Sequence, residues 1–437
     1  MSVKAHREVL ERNSIARLAT ILLLYVGQGI PIGLFDFVIP AWLAANGATA
    51  ADIGFVVAMT AAPWSLKFIA GFIMDRFTYL AMGRRRAWIL GAQLAMIVCL
   101  FTVAAIAPRP DQILLIGIVS LIVNTATVFQ DVAADGLTVD ILPEQERGIG
   151  SGFASGGHTL GIAMASAVAG VVLYAFGIGA AYLVAGILLS VVTAEVLWTR
   201  EREGEKRFPW SVGQANPTSL AYSTKQWLPL IKKTLANTFS PISLIWLVVL
   251  VVRGLTYGFL IVAVPIIATQ GPGWSESELS SANGTAQLVG GLFTILVGGY
   301  VISRVGAQRS MIALFCLMIA GLSLTLWQSP NWIDERLLII FVFGWIALDS
   351  FLGVGSTVIN MRLSPPEISA TQFSIYMALK NQGTTLAGVL IASVAVLGDP
   401  NTMLLFLVGA QALALVILLF TKLPRRQIGV AKEKSEL

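Results

Sequence analysis

Apolar runs of about 20 residues recur from near the start of this chain to near its end, each long enough to cross about 30 Å of hydrocarbon as a helix. Twelve can be placed, at approximately 17–44, 51–74, 87–107, 112–139, 148–175, 180–199, 243–269, 280–303, 309–328, 337–362, 369–397 and 401–421. Of the 437 residues, 56% are hydrophobic and only 12% are charged, so a water-soluble globule has too little polar surface to clothe its exterior. Barrel strands are excluded because they run to about 10 residues and alternate in polarity. Helices satisfy their own backbone groups in lipid. The expectation is an all-α integral membrane protein of twelve transmembrane helices.

Charge placement tests that count. With the N-terminus in the cytoplasm, all but five of the 29 lysines and arginines fall in cytoplasmic segments: Arg109 and Arg336 lie outside, and Lys67, Arg253 and Lys380 fall within spans. The positive-inside rule predicts this asymmetry, and a miscount by one helix destroys it. Both termini are therefore expected in the cytoplasm. The first run is too long, and too poorly followed by a cleavage site, to be a removable signal peptide. The net charge of +5 is that of loops facing an anionic leaflet and does not point to nucleic acid. Cys99 and Cys316 lie far apart in apolar spans, so no disulfide framework is expected. His6 and His158 are the only histidines, which leaves no metal-ligand cluster, and no cofactor is expected. Trp42, Trp88, Trp274 and Trp332 fall near span ends, where indoles gather at membrane interfaces.

The longest polar interval divides the spans six and six. The organisation read from it is an N-terminal bundle at 1–199, a cytoplasmic linker at 200–242, and a C-terminal bundle with its tail at 243–437. In the linker, Trp227, Leu228, Leu230, Ile231 and Leu235, flanked by Lys225, Lys232 and Lys233, read either as one short interfacial helix or as a disordered strap. The halves also repeat. Gly71-Phe-Ile-Met-Asp75-Arg76 and then Gly83-Arg84-Arg85-Arg86 follow the second span; Gly299-Tyr-Val-Ile-Ser303-Arg304 and then Gly306-Ala-Gln-Arg309 follow the eighth. Asp140-Ile-Leu-Pro143-Glu144 follows the fourth span, and Asn360-Met-Arg-Leu-Ser-Pro365-Pro366-Glu367 the tenth. Parallel repeats of this kind are a transporter architecture that places a substrate site between halves.

The physics of the first loop is readable from its residues. Gly71 admits a neighbouring helix. Asp75 can hold a helix terminus or a cation from the other half, and Arg76, with Arg84 or Arg85, can pair with Asp140. Together with Arg304 in the second repeat, these residues form a candidate cytoplasmic gate; the alternative is that the arginines only anchor the loop at the headgroups. The loop resembles that between helices two and three of the major facilitator superfamily. Longer blocks resemble the AmpG-like permeases of that superfamily: Lys67-Phe68 through Asp75-Arg76 and Gly83 to Gln93, then Gln130-Asp131, Asp135, Asp140 to Pro143 and Glu146-Arg147-Gly148, then Ser369-Ala370-Thr371-Gln372-Phe373. The resemblance implies two pseudo-symmetric six-helix bundles and a monomeric inner-membrane importer of bacteria, driven by the proton gradient. It also implies an amphiphilic solute as cargo, such as a muropeptide or, as in other relatives, a siderophore.

Charges inside the membrane cost about 2.5–3.5 kcal/mol or more and mark pathways or pairs. Asp131 and Asp135 share one helical face, and Asp131 stands roughly 13 Å along the helix from Asp140. Lys67 lies at a similar depth above Asp75. These three are the proton-coupling candidates, with Lys67 pairing one acid while the other takes a proton; the bland alternative is a permanently ionised structural pair. Asp36, Arg253, Asp349 and Lys380 are candidates for a substrate cavity, with Arg253 and Asp349 facing either substrate or each other; the alternative for each is a salt bridge within or between helices. Arg253 suits a carboxylate through its forked donors, and Lys380 is expected to partner Asp349. Gly29, Pro31 and Gly33 mark a bend or a thin point in the first helix.

Secondary active transport with a solute, a proton and the bilayer as partners is the function this pattern supports. An exporter or an uncoupled facilitator of the same fold is the nearest alternative. A multipass membrane enzyme is disfavoured by short loops, scarce histidine and the lack of a nucleotide-binding glycine loop with lysine.

Overall fold

The computed structural model describes residues 8–48, 50–222, 226–274, 276–329, 334–393, 399–425 and 427–428. His6, Lys225, Trp332 and both chain ends lie outside them. The first span begins with α1 (Ser14–Ile32), passes through a π-helical stretch at Gly33–Val38 and ends in α2 (Ile39–Ala45). Pro31 has no N–H to give the helix, and the register relaxes immediately after it. This span is also thin: a Cβ on Gly29 or on Gly33 would lie 2.6 Å from the Ile162 backbone of α7 (Arg147–Phe176). The second span is two helices, α3 (Ala50–Ser65) and α4 (Lys67–Arg76), parted at Leu66. Then come α5 (Arg86–Ile106), α6 (Ile113–Ile141), α7 and α8 (Ile178–Trp198).

The linker carries α9 (Pro217–Ala221) and α10 (Trp227–Thr238). Beyond it are α11 (Pro241–Gln270), α12 (Glu276–Phe293), a π-helical stretch at Thr294–Gly298, α13 (Gly299–Val305), α14 (Ala307–Trp327), α15 (Glu335–Leu363), α16 (Ser369–Ser393) and α17 (Pro400–Phe420). Among the described residues, eleven helical runs are long and apolar enough to cross a membrane. The remaining expected span is α16, a helix of 25 residues whose middle reads Lys380-Asn381-Gln382-Gly383-Thr384-Thr385. That polar stretch, not any shortness, sets it apart from the other eleven.

The chain divides into two compact units. The first comprises Met1–Pro143, Gly156–Thr234 and Ser364–Ser374; the second comprises Glu144–Ser155, Leu235–Leu363 and Ile375–Leu437. Each unit therefore incorporates the beginning of a helix that the sequence places in the opposite half. The core of the first unit gathers Leu34 and Phe35 with Met96, Leu100 and Tyr182; that of the second gathers Trp246, Phe259, Phe315 and Met403. Trp274, expected at an interface, is buried in the core of the second unit.

The linker is more than a strap. Residues 8–11 pair with it through an isolated bridge between Val9 and Arg200, reinforced by Leu10 N–H to Arg200 O at 2.9 Å and Glu11 N–H to Glu201 O at 3.1 Å. On α10, Leu230 is buried, while Trp227, Leu228, Ile231 and Leu235 are exposed. Glu205 is wholly buried and accepts the Arg202 N–H at 2.9 Å. Burial, and then the charge of Glu201, push its carboxyl up to about 8. A raised acid retains its proton in the fold while the unfolded chain has lost it. Its stabilising contribution is thus complete below the ordinary glutamate range and lost as pH climbs toward about 8. The melting temperature in detergent should therefore fall between pH 5 and 8.5, and Glu205→Gln should flatten that slope. Parallel slopes in the two proteins count against this account.

Candidate functional site

In the first unit a charged network lies inside the helices. The break at Leu66 puts Lys67 in the first turn of α4, and its ammonium lies 2.8 Å from Asp131 and 3.7 Å from Asp135 of α6. From α1, Gln28 donates to the second oxygen of Asp131 at 2.7 Å, and the Tyr25 hydroxyl donates to Asp135 at 2.5 Å. All five side chains are buried. Two carboxylates facing one ammonium leave one negative charge in excess, in a medium where such an excess is costly. The two acids are not equivalent. Asp131 has both oxygens engaged, whereas Asp135 Oδ2 has no hydrogen-bond donor. A proton added to the network is best placed on Asp135. Asp36 lies elsewhere, exposed in the π-helical stretch of the first span.

The second unit holds a different cluster. Arg253 of α11 donates to Asp349 Oδ1 at 3.0 Å and to the Asp349 carbonyl at 3.1 Å. Its other arm reaches Ser356 at 3.0 Å. Asp349 is thereby engaged directly by Arg253, one of the pairings the sequence offers, while Lys380 interacts with its charge at longer range. Lys380 of α16 instead sits 4.7 Å from the centre of the Tyr257 ring, which meets Trp345 edge-on at 6.1 Å. Close backbone contact makes this possible, since a Cβ on Gly254 would lie 2.8 Å from the Gly383 Cα. Two cations, one acid and two aromatic faces give a net positive site suited to an anionic group carried on an apolar or sugar-like frame.

The third assembly is the loop after α4, again within the first unit. Asp75 accepts from the Thr371 N–H at 2.8 Å and the Thr371 hydroxyl at 2.7 Å, at the start of α16. Its other oxygen takes Arg85 at 2.6 Å. Arg84 and Arg85 lie 3.1 and 3.3 Å from Asp140. Arg84 also donates to Pro366 O at 2.7 Å, and Arg85 to Ser369 Oγ at 2.8 Å. A Cβ on Gly71 would lie 2.8 Å from the Thr371 Cα, so only glycine fits there. Burial works against the charge on both guanidiniums. For Arg85 the attraction of Asp75 and Asp140 overturns that effect and raises it; Arg84 stays lowered. Arg76 does not join them: it lies over the Phe77 ring at 4.9 Å and faces the Trp227 ring at 6.0 Å.

The sequence profile of the Major Facilitator Superfamily matches residues 21–252 and 246–436. The chain belongs to this superfamily. Within it, the chain is similar to the anhydromuropeptide permease of Escherichia coli (strain K12), with 24% identity over 420 residues, covering 92% of this chain and 79% of the relative. Among solved structures, the superfamily transporter FucP, in the outward conformation, superposes with a TM-score of 0.67 at 13% identity, covering 94% of this chain and 99% of the other. The proton:xylose symporter XylE superposes with a TM-score of 0.62 at 13% identity, covering 92% and 94%. Together these make the chain a multipass, all-α transporter of the major facilitator fold, and not an enzyme.

The repeat that marks this superfamily chain is visible in both units, but with different chemistry. In the second unit, Gly299 packs on the start of α7 as Gly71 packs on the start of α16: a Cβ on Gly299 would lie 2.7 Å from the Ile149 Cα. The charge is carried by Glu144, which pairs with Arg362 and lies 3.4 Å from Arg147. Arg304, expected in the gate, is exposed and lies over the Tyr300 ring at 5.1 Å. With Ser303 in place of an acid, that loop offers Arg304 no carboxylate. Tyr25, Gln28 and Tyr257 do not stand out in the sequence, and Thr371 and Glu144 stand there only as members of motifs, with their partners unread. A signal existed for the first two: their three-residue spacing in an otherwise apolar run puts both on one face, as the spacing of Asp131 and Asp135 does.

Proposed function

We propose that this chain is a proton-coupled importer, working by alternating access, of an anionic amphiphilic solute such as a muropeptide or a siderophore. Its membrane is the bacterial inner membrane, with both termini in the cytoplasm and the chain acting as a monomer. Residues 1–199 and 243–437 form its two halves, and 200–242 the linker, whose α10 lays Trp227, Leu228, Ile231 and Leu235 in the headgroup region. The observation that carries the coupling is the excess negative charge of the Lys67, Asp131 and Asp135 network, which one proton neutralises. The cargo reading draws on the similarity to the E. coli anhydromuropeptide permease and on the net positive, aromatic cluster of Arg253, Lys380, Tyr257 and Trp345. Gly71, Asp75, Arg84, Arg85 and Asp140 act with the start of α16 as a clasp that closes and opens the cytoplasmic side.

The test is uptake of labelled anhydromuropeptide by cells lacking their own permease, with and without a protonophore. Accumulation that collapses with the gradient is expected. Uptake indifferent to the protonophore overturns the coupling and leaves a facilitator. No uptake by well-expressed protein overturns this cargo and redirects the search to siderophores.

A further inference from the structure

We infer that Glu201, on the linker, is a positioning residue for the cytoplasmic clasp: it fixes the backbone turn from which Arg84 and Arg85 reach their partners. Glu201 is wholly buried. Its two oxygens accept three consecutive backbone N–H groups, from Arg84 at 2.8 Å, Arg85 at 2.7 Å and Arg86 at 2.6 Å. These are free donors at the start of α5, where a carboxylate is favoured both by hydrogen bonding and by the helix dipole. Gly83 turns with φ +100°, and a Cβ there would strike the Glu201 carboxylate. The turn has thus been shaped around this one acid.

The two faces of the turn do different work. Its backbone is held by Glu201, and its side chains hold Asp75, Asp140, Pro366 and Ser369. Arg86 ties the same turn down a second time, donating to the carbonyls of Val196, Leu197 and Arg207 at 3.1, 3.1 and 2.6 Å. Lys206 N–H returns to Ala81 O at 2.7 Å. The linker in turn is paired to residues 8–11, with Arg12 on Glu203 at 2.5 Å. A continuous bonded path therefore runs from the N-terminal segment, through Glu201, to the arginines of the clasp. The closed clasp needs two guanidiniums placed together on two carboxylates, and a turn free to drift delivers them less often.

This inference rests on reading the clasp as a gate, and the experiment separates the two. In a chain with Cys99 and Cys316 replaced by serine, Ser374→Cys places a thiol on α16 one turn past Thr371, which holds Asp75. Ser374 is wholly buried and its hydroxyl has no partner, so the exchange is mild. Ser120→Cys, also wholly buried but in α6, reports general loosening. Inside-out vesicles are labelled with an impermeant maleimide. Glu201→Gln is expected to raise Ser374→Cys labelling about tenfold, the scale of one weakened charge-assisted hydrogen bond, and to leave Ser120→Cys labelling unchanged. Glu201→Asp, which keeps the charge but shortens the reach, should do the same, and covers the case that the amide does not fold. Asp75→Asn should raise Ser374→Cys labelling alone, and combining it with Glu201→Gln should add little. Labelling in Asp75→Asn with protection in Glu201→Gln overturns the role of Glu201 and spares the gate. Protection in Asp75→Asn overturns the gate itself. Equal rises at both thiols mean that Glu201 only stabilises the bundle, and also overturn the inference.

Discussion

Asp135→Asn is expected to abolish gradient-driven accumulation while leaving solute exchange intact. The substituted amide is neutral at every pH, so the network of Lys67, Asp131 and residue 135 becomes balanced without taking up a proton. Asparagine can still accept from Tyr25, which in the protein as it stands donates to Asp135 at 2.5 Å, so the packing of α1 on α6 is kept. A carrier so altered moves loaded in both directions but has nothing to couple to the gradient. Its accumulation ratio should fall from well above one to about one, a loss of tenfold or more for a gradient worth at least about 1.4 kcal/mol. Counterflow in de-energised vesicles should stay within about twofold, a difference too small to count as a lost interaction. Asp131→Asn should lose both activities, because Asp131 is the nearer anchor of Lys67 at 2.8 Å. Retained accumulation in Asp135→Asn means that this network is a structural pair and that coupling lies elsewhere.

The parts legible in the sequence were those written in composition and period. Apolar run length placed the helices. The polar middle of α16 falls below the hydropathy of its neighbours, yet its place between two loops made it a span all the same. What the sequence left dark depends on where backbones come together. Lys380 looks like a partner for Asp349 because both are isolated charges. Arg253 is open to Asp349 as well as to substrate, and the contact of Gly254 with Gly383 sets Lys380 against Tyr257, so the direct partner of Asp349 is Arg253. Arg76 and Arg84 are alike in a string of letters, but the turn at Gly83 faces one toward Asp140 while the end of α4 sends the other over Phe77. The break at Leu66 is signalled only by Pro63 in α3, and the π-helical stretches only by Pro31 and a few glycines. Glu201 was invisible as a functional residue because its partners are backbone N–H groups, and any residue type supplies those.

Lys67→Met should be the most destabilising single change in the molecule that leaves every helix intact. Removing one member of a buried ion pair strands its partner, at a cost of about 3–5 kcal/mol. Here two carboxylates are stranded, since Lys67 is the cation facing both. Methionine fills the space of the lysine stem, so the loss is one of charge and not of volume. The deficit should then be recoverable without restoring any cation. Adding Asp131→Asn to Lys67→Met removes the charge that had the closest contact, and Gln28 can still donate to the amide oxygen as it does to Asp131 at 2.7 Å. The double variant should regain most of the lost melting temperature in detergent, while transport remains abolished in both. Recovery of folding without recovery of function is the signature of a charge set kept for coupling and not for stability. A single variant that melts with the unaltered protein shows that the acids were never left unbalanced, and the charge count on which the coupling argument stands fails with it.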